Sequence, residues 1–260
     1  MRNTWNPTRR NRNIGTSKAG HSENNKLVIP SRFLEWKIFW EIIDDYKVHT
    51  REINGRIVKF IVEHNHRNHM HCCSVDDVAF LLTVLPVEDW EGINLFIFRQ
   101  PKRKEEILSS VWGRLGYNVD IGSFKGPAII LESIDLSKPL IWKKSLNPET
   151  VIELERMKQD GHKVTLNKRE YIIEISQDSV RATQLYRTLL HEIGHWVQWD
   201  TIVLKPSSEG FDRNELEENY FRIPSNEKEV FAHRYADIIR EKLIENNVIP
   251  FGRKDNEENV

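Results

Sequence analysis

His191-Glu192-Ile193-Gly194-His195 sets two imidazoles four residues apart, with a carboxylate beside the first. On an α-helix, residues four apart stand one turn apart on the same face, so the two rings can close on a single divalent ion. Zn²⁺ takes neutral histidine nitrogens at about 2.0 to 2.1 Å, and a catalytic zinc keeps three protein ligands and one open position. Glu192 adjoins that position, where a carboxylate can accept a proton from water activated by the ion and hand it to a leaving amine. The spacing therefore points to hydrolysis of a peptide or protein substrate with one Zn²⁺ per chain. His191 and His195 are the expected metal ligands and Glu192 the general base.

A third ligand is needed, and the run from Glu229 to Asp237 offers one. Glu229, Ala232, His233 and Ala236 recur at three- and four-residue spacing and share a helical face. Small residues on that face let two helices approach at the short end of the usual 8 to 10 Å, close enough for Glu229 to meet the histidine pair. Glu227, two residues away, is the reserve candidate and faces another side. In the first helix, Leu185, Leu189, Leu190, Ile193, Trp196 and Val197 form the apolar stripe of a buried element. Gly194 costs that helix about 1 kcal/mol relative to Ala, which points to close packing or substrate approach.

With these residues in view, the sequence resembles the gluzincin metallopeptidases, and among them is most similar to the minigluzincins and the ImmA/IrrE-type peptidases. Their glutamate helix reads roughly Glu-x-x-Ala-x-x-aromatic-Ala, which Glu229, Ala232, Tyr235 and Ala236 match. The resemblance covers about residues 74 to 246 and is specific around the two helices. It implies an α+β fold, with a small zincin-like sheet packed on the active-site helix and a C-terminal glutamate helix. It also implies His191, His195 and Glu229 as zinc ligands. Two features depart from the pattern. Residues 137 to 176 form an extra helix and hairpin, and His233 stands where larger gluzincins place an aspartate. A helix-surface histidine is the favoured reading of His233, beside that of a donor to a ligand or to an oxyanion. A catalytically silent regulatory or interaction protein on the same scaffold is the competing function.

The elements that position these residues are legible in outline. Phe33, Trp36, Trp40 and Ile43 recur at helical spacing after Ser31, and Val48 to Glu63 alternates about Asn54-Gly55 as a β-hairpin. Together they predict an N-terminal helix and hairpin extension over 27–73. Ser74 and Asp77 resemble a capping box before a short buried helix that stops at Pro86. Ile93 to Phe98, Val111 to Ile121 and Ala128 to Glu132 read as strands of a meander. Asn147-Pro148 opens a helix ending near Gly161, and a second hairpin turns at Asn167-Lys168. Two helices over about 179–199 and 226–246, joined by a polar loop, complete a metallopeptidase domain at 74–250. Residues 1–26 read as a flexible basic tail and 251–260 as a flexible acidic one.

Lys and Arg number 38 against 39 Asp and Glu, so no global field exists to hold a polyanion, and nucleic acid is not an expected partner. No apolar run approaches a membrane span and no apolar leader is present, so a cytoplasmic, membrane-free protein is expected. Oligomeric state leaves no signal. Cys72 and Cys73 are adjacent and give no disulfide framework. His64, His66, His69 and His71 beside them fit no zinc spacing and read as a polar loop.

Overall fold

β1 (Tyr46–Ile53) and β2 (Arg56–Glu63) form the expected hairpin, and Asn54 and Gly55 turn it with φ of 50° and 77°. Positive φ at both positions is what a type I′ turn needs. The hairpin is no extension. β2 pairs in parallel with β4 (Leu95–Arg99), and the main sheet runs β1-β2-β4-β6-β5, with β5 at Gly113–Ile121 and β6 at Phe124–Glu132. Residues 41–43, 45–66, 68–102 and 111–255 are described in this computed structural model, and those from Ile43 onward belong to one unit. The expected basic tail over 1–26 lies outside the described residues, as does the helix expected from Ser31 to Ile43 up to Trp40.

The meander is corrected too. β4 lies between β2 and β6, parallel to both, and only β5 and β6 pair as a hairpin. All five residues of β4 are buried, whereas half of β5 is partly exposed. An interior place covers both edges of the apolar strand and leaves the more polar one at the rim. Residues alternate across the sheet, so Phe60, Phe96, Phe98, Ile129 and Leu131 share the core with the helices, while Ile61, Ile97 and Ile130 are buried on the other face.

The architecture is α+β, with this mixed sheet, two small sheets and five helices among the described residues. α1 (Val75–Val84) begins at the expected capping box of Ser74 and Asp77. β3 (His69–Met70) pairs with β7 (Ile134–Asp135). The segment expected to hold a helix and hairpin has both and a further strand. β8 (Leu140–Lys143), β10 (Glu170–Glu174) and β9 (Lys163–Leu166) make a sheet beside α2 (Pro148–Gln159), around a small core of Leu154, Met157 and Ile173. Asn147 caps α2 by accepting from the Thr150 N–H.

The HExxH helix is longer than its sequence signals. α3 spans 177–208, with π-helical turns at Gln184–Leu189 and Asp200–Leu204 on either side of the α-helical Leu190–Trp199. The polar loop expected after it contains α4 (Arg213–Arg222), followed by α5 (Ser225–Glu245). The loop's composition hid a helix because α4 buries only Tyr220 and has almost no apolar period.

Residues 251–255, expected to start a flexible tail, are instead held down. Arg181 donates to the carbonyls of Phe251 and Gly252, the Lys254 N–H donates to Asp77, and Arg253 donates to the Cys72 carbonyl. Arg181 and Asp77 are themselves paired at 2.7 and 2.8 Å, with Asp77 fully buried. Burial pushes the Asp77 carboxyl up, but Arg181 and the N–H groups of Lys254 and Ser74 outweigh it and hold it below its usual value. A depressed folded pKa contributes stability above the unfolded value, lost as pH falls through the folded one. Asp77→Asn should therefore cost about 3 to 5 kcal/mol near neutrality. In urea unfolding, its gap from the wild type should narrow below about pH 4.

Candidate metal centre

Leu190–Trp199 and α5 are pressed together at Gly194. A Cβ there would stand 3.0 Å from the Cα and the carbonyl oxygen of Ala232 and 3.1 Å from the Cβ of Tyr235. Ala232 is fully buried and Ala236 nearly so, which realises the small-residue face read from the sequence. Tyr235 fixes the position of α5 by donating to Asp89 at 2.7 Å.

This approach gathers the expected residues. His191 Nε2 and His195 Nε2 are 3.1 Å apart, and the Glu229 carboxylate oxygens lie 3.1 Å from the first and 3.6 Å from the second. Ligands at about 2.05 Å from a tetrahedral ion stand about 3.3 Å apart, so the two Nε2 atoms, with one Glu229 oxygen near each, lie at separations close to those of a Zn²⁺ site. The two imidazoles hold the Glu229 carboxyl well below the usual range, which keeps it ionised as a ligand must be. Glu227 is exposed and takes no part.

His233 is a correction. It is half-buried, not a helix-surface residue, and its ring lies 4.3 Å from that of His191. His191, Glu229 and His233 also offer atoms within 4.8 Å of one another, a second possible ligand set. The set with His195 fits better, because Arg156 of α2 lies 3.1 Å from His233 Nδ1. A guanidinium only donates, so Nδ1 accepts and the neutral ring carries its proton on Nε2. Burial, with His191 and Arg156 beside it, pulls His233 down to about 4, so the ring is neutral near pH 7. A nitrogen bearing a proton is a donor, not a ligand.

Glu192 is buried beneath the pair, where its carboxylate accepts from the Leu115 N–H of β5. Burial raises its pKa, and His191, His195 and that hydrogen bond oppose the rise. His191 Nδ1 is buried without a hydrogen-bond partner among the described residues. Metal-bound histidines ordinarily donate from this atom to a carboxylate or carbonyl. Here the ring is steadied by packing on His233.

The earlier histidine-cysteine run does not converge on a point. His71 bonds the Glu63 carbonyl, His69 lies 3.3 Å from Ser133 Oγ, and Cys72 and Cys73 are buried, with burial pushing both thiols up. The sequence carries no sign of Arg156 or Leu115, and Trp112 and Trp142, whose spacing reads as that of core aromatics, are only partly buried and line a cavity beside His191. No local pattern joins Arg156 to His233, which it meets only because the inserted segment folds back.

Comparison with protein families, curated proteins and solved structures finds no match for this chain.

Zinc titration against a chromophoric chelator should give about one ion per chain. Alanine at His191, His195 or Glu229 should weaken binding at least 100-fold, and alanine at Glu227 should leave it unchanged; removal of a neighbouring partner typically costs 10- to 100-fold. Gly194→Val should weaken binding at least tenfold by wedging the helices apart, an overpacking cost of about 1 to 3 kcal/mol.

Proposed function

We propose that the chain is a zinc-dependent metallopeptidase of the gluzincin type, acting on a peptide or protein substrate in the cytoplasm. The observation that carries this reading is the convergence of His191, His195 and Glu229 to separations of 3.1 to 3.6 Å, with Glu192 buried beside them. The order of a mixed sheet, an HExxH helix and a glutamate helix supports a zincin-like arrangement. The near balance of charge favours a peptide over a polyanion.

Held by His191, His195 and Glu229, Zn²⁺ would supply a positive charge that acidifies water and polarises a carbonyl. The protein's own groups do the remaining work. Glu192, oriented by the Leu115 N–H, takes the proton of the attacking water and passes it to the departing amine. Among the described residues β5 is the last strand of its sheet, and away from Leu115, whose N–H is held by Glu192, its edge can accept an extended peptide as one more strand. His233 donates from Nε2 to the oxygen on which negative charge gathers.

A silent scaffold that binds metal and a partner without turnover is the competing reading. It is favoured by the partnerless Nδ1 of His191, whose ring lacks the acceptor that usually orients a metal ligand.

Glu192→Gln separates the two. The variant should keep about one zinc per chain while cleavage of a mixed peptide library, followed by mass spectrometry, falls about 100- to 10,000-fold, the usual worth of a general base. Cleavage equal to wild type, or none by zinc-loaded wild type, defeats the peptidase reading.

A further inference from the structure

Beside His191 and Glu192 lies a half-open cavity of about 740 Å³, within the range of ligand pockets. One wall is the β5 end of the site, at Val111, Trp112 and Gly113, and the other belongs to the inserted segment, through Leu140 and Trp142 of β8. Trp112, Leu140 and Trp142 are partly buried against the segment's small core, so one side of each is packed and another faces the opening. Arg156 ties the segment to the site by donating to His233 and Asp237.

The cationic side chains around the cavity are already paired, while Glu153 of the lining stands 3.9 Å from Arg156. Arg114 pairs with Glu132 at 3.1 Å, Arg156 with Asp237 at 3.3 Å, Arg187 with Asp160 at 2.7 Å, and Lys138 with Asp135. Among the described residues an incoming anionic side chain would find no free counter-charge and a cationic one only the loosely held Glu153, and either would lose its water, a costly exchange. A large apolar side chain would gain contact with two indoles and a leucine.

We propose that this cavity is the recognition pocket for a bulky apolar side chain of a peptide, so that the 137–176 segment selects the substrate. The proposal rests on the peptidase reading for the place of the reaction, and its test reads binding separately from cleavage.

Fluorescein-labelled Ala-Ala-Gly-Xaa-Ala-Ala peptides, with Xaa as Phe, Leu, Ala, Asp or Lys, would be titrated by anisotropy against the full-length, zinc-loaded Glu192→Gln chain. The Phe and Leu peptides should bind at least tenfold more tightly than the other three. Trp142→Ala should reduce that preference at least fivefold. Should that variant fail to fold, Val111→Arg gives a second reading, since Val111 is 40% exposed and lines the same cavity. It should weaken the Phe peptide and strengthen the Asp peptide, each by at least threefold. Equal affinities across the series, preference for a charged residue, or no binding of any peptide overturns the pocket. Wild-type chain incubated with the same peptides decides the other question. Selective binding without cleavage defeats the peptidase reading and leaves the pocket standing. Cleavage indifferent to Xaa defeats the pocket alone.

Discussion

Everything at the site depends on how closely two helices pass at Gly194. The bare Cα lets the backbone of Ala232 come within what would be 3.0 Å of a methyl group. Only at that spacing does a carboxylate on α5 stand 3.1 Å from an imidazole on its neighbour. The glycine weakens its own helix by about 1 kcal/mol, a local loss that the contact it permits must offset. Intrinsic propensity and tertiary packing pull in opposite directions here, and packing decides.

The surroundings turn that contact into a directed arrangement. Leu115 reaches Glu192 through its backbone, so the edge of the sheet and the buried carboxylate are held by one bond. Arg156 reaches His233 from the opposite side, and because a guanidinium has no acceptor it fixes which nitrogen of that ring keeps a proton. One contact comes from the sheet, the other from the added segment. Among the described residues, both leave His191 and His195 without hydrogen bonds or ion pairs beyond those they make with each other and with Glu229.

Local periodicity made much of this legible. Four-residue spacing put His191 and His195 on one face, the Ala232 and Ala236 spacing anticipated close helix approach, and Asn54-Gly55 and Ser74 marked a turn and a cap where they occur. What failed was non-local. The alternation of β4, β5 and β6 is the same in a meander as in a mixed sheet, and only the burial of both edges of β4 decides between them. α4 carries no helical signal because it buries a single residue, and the π-helical turns of α3 shift the phase of its apolar stripe and hide its length. His233 was assigned to the surface because its partner, Arg156, lies far away in the chain and on another element.

The strap formed by residues 251–254 carries one consequence for how the molecule comes into being. Those residues close over Arg181 and Asp77, which anchor the start of the long helix to α1. During translation the imidazole pair leaves the ribosome first, the facing carboxylate later, and the strap after both. The junction of Arg181 and Asp77 is therefore sealed only after both helices of the candidate centre have been made, by backbone groups that neither helix supplies.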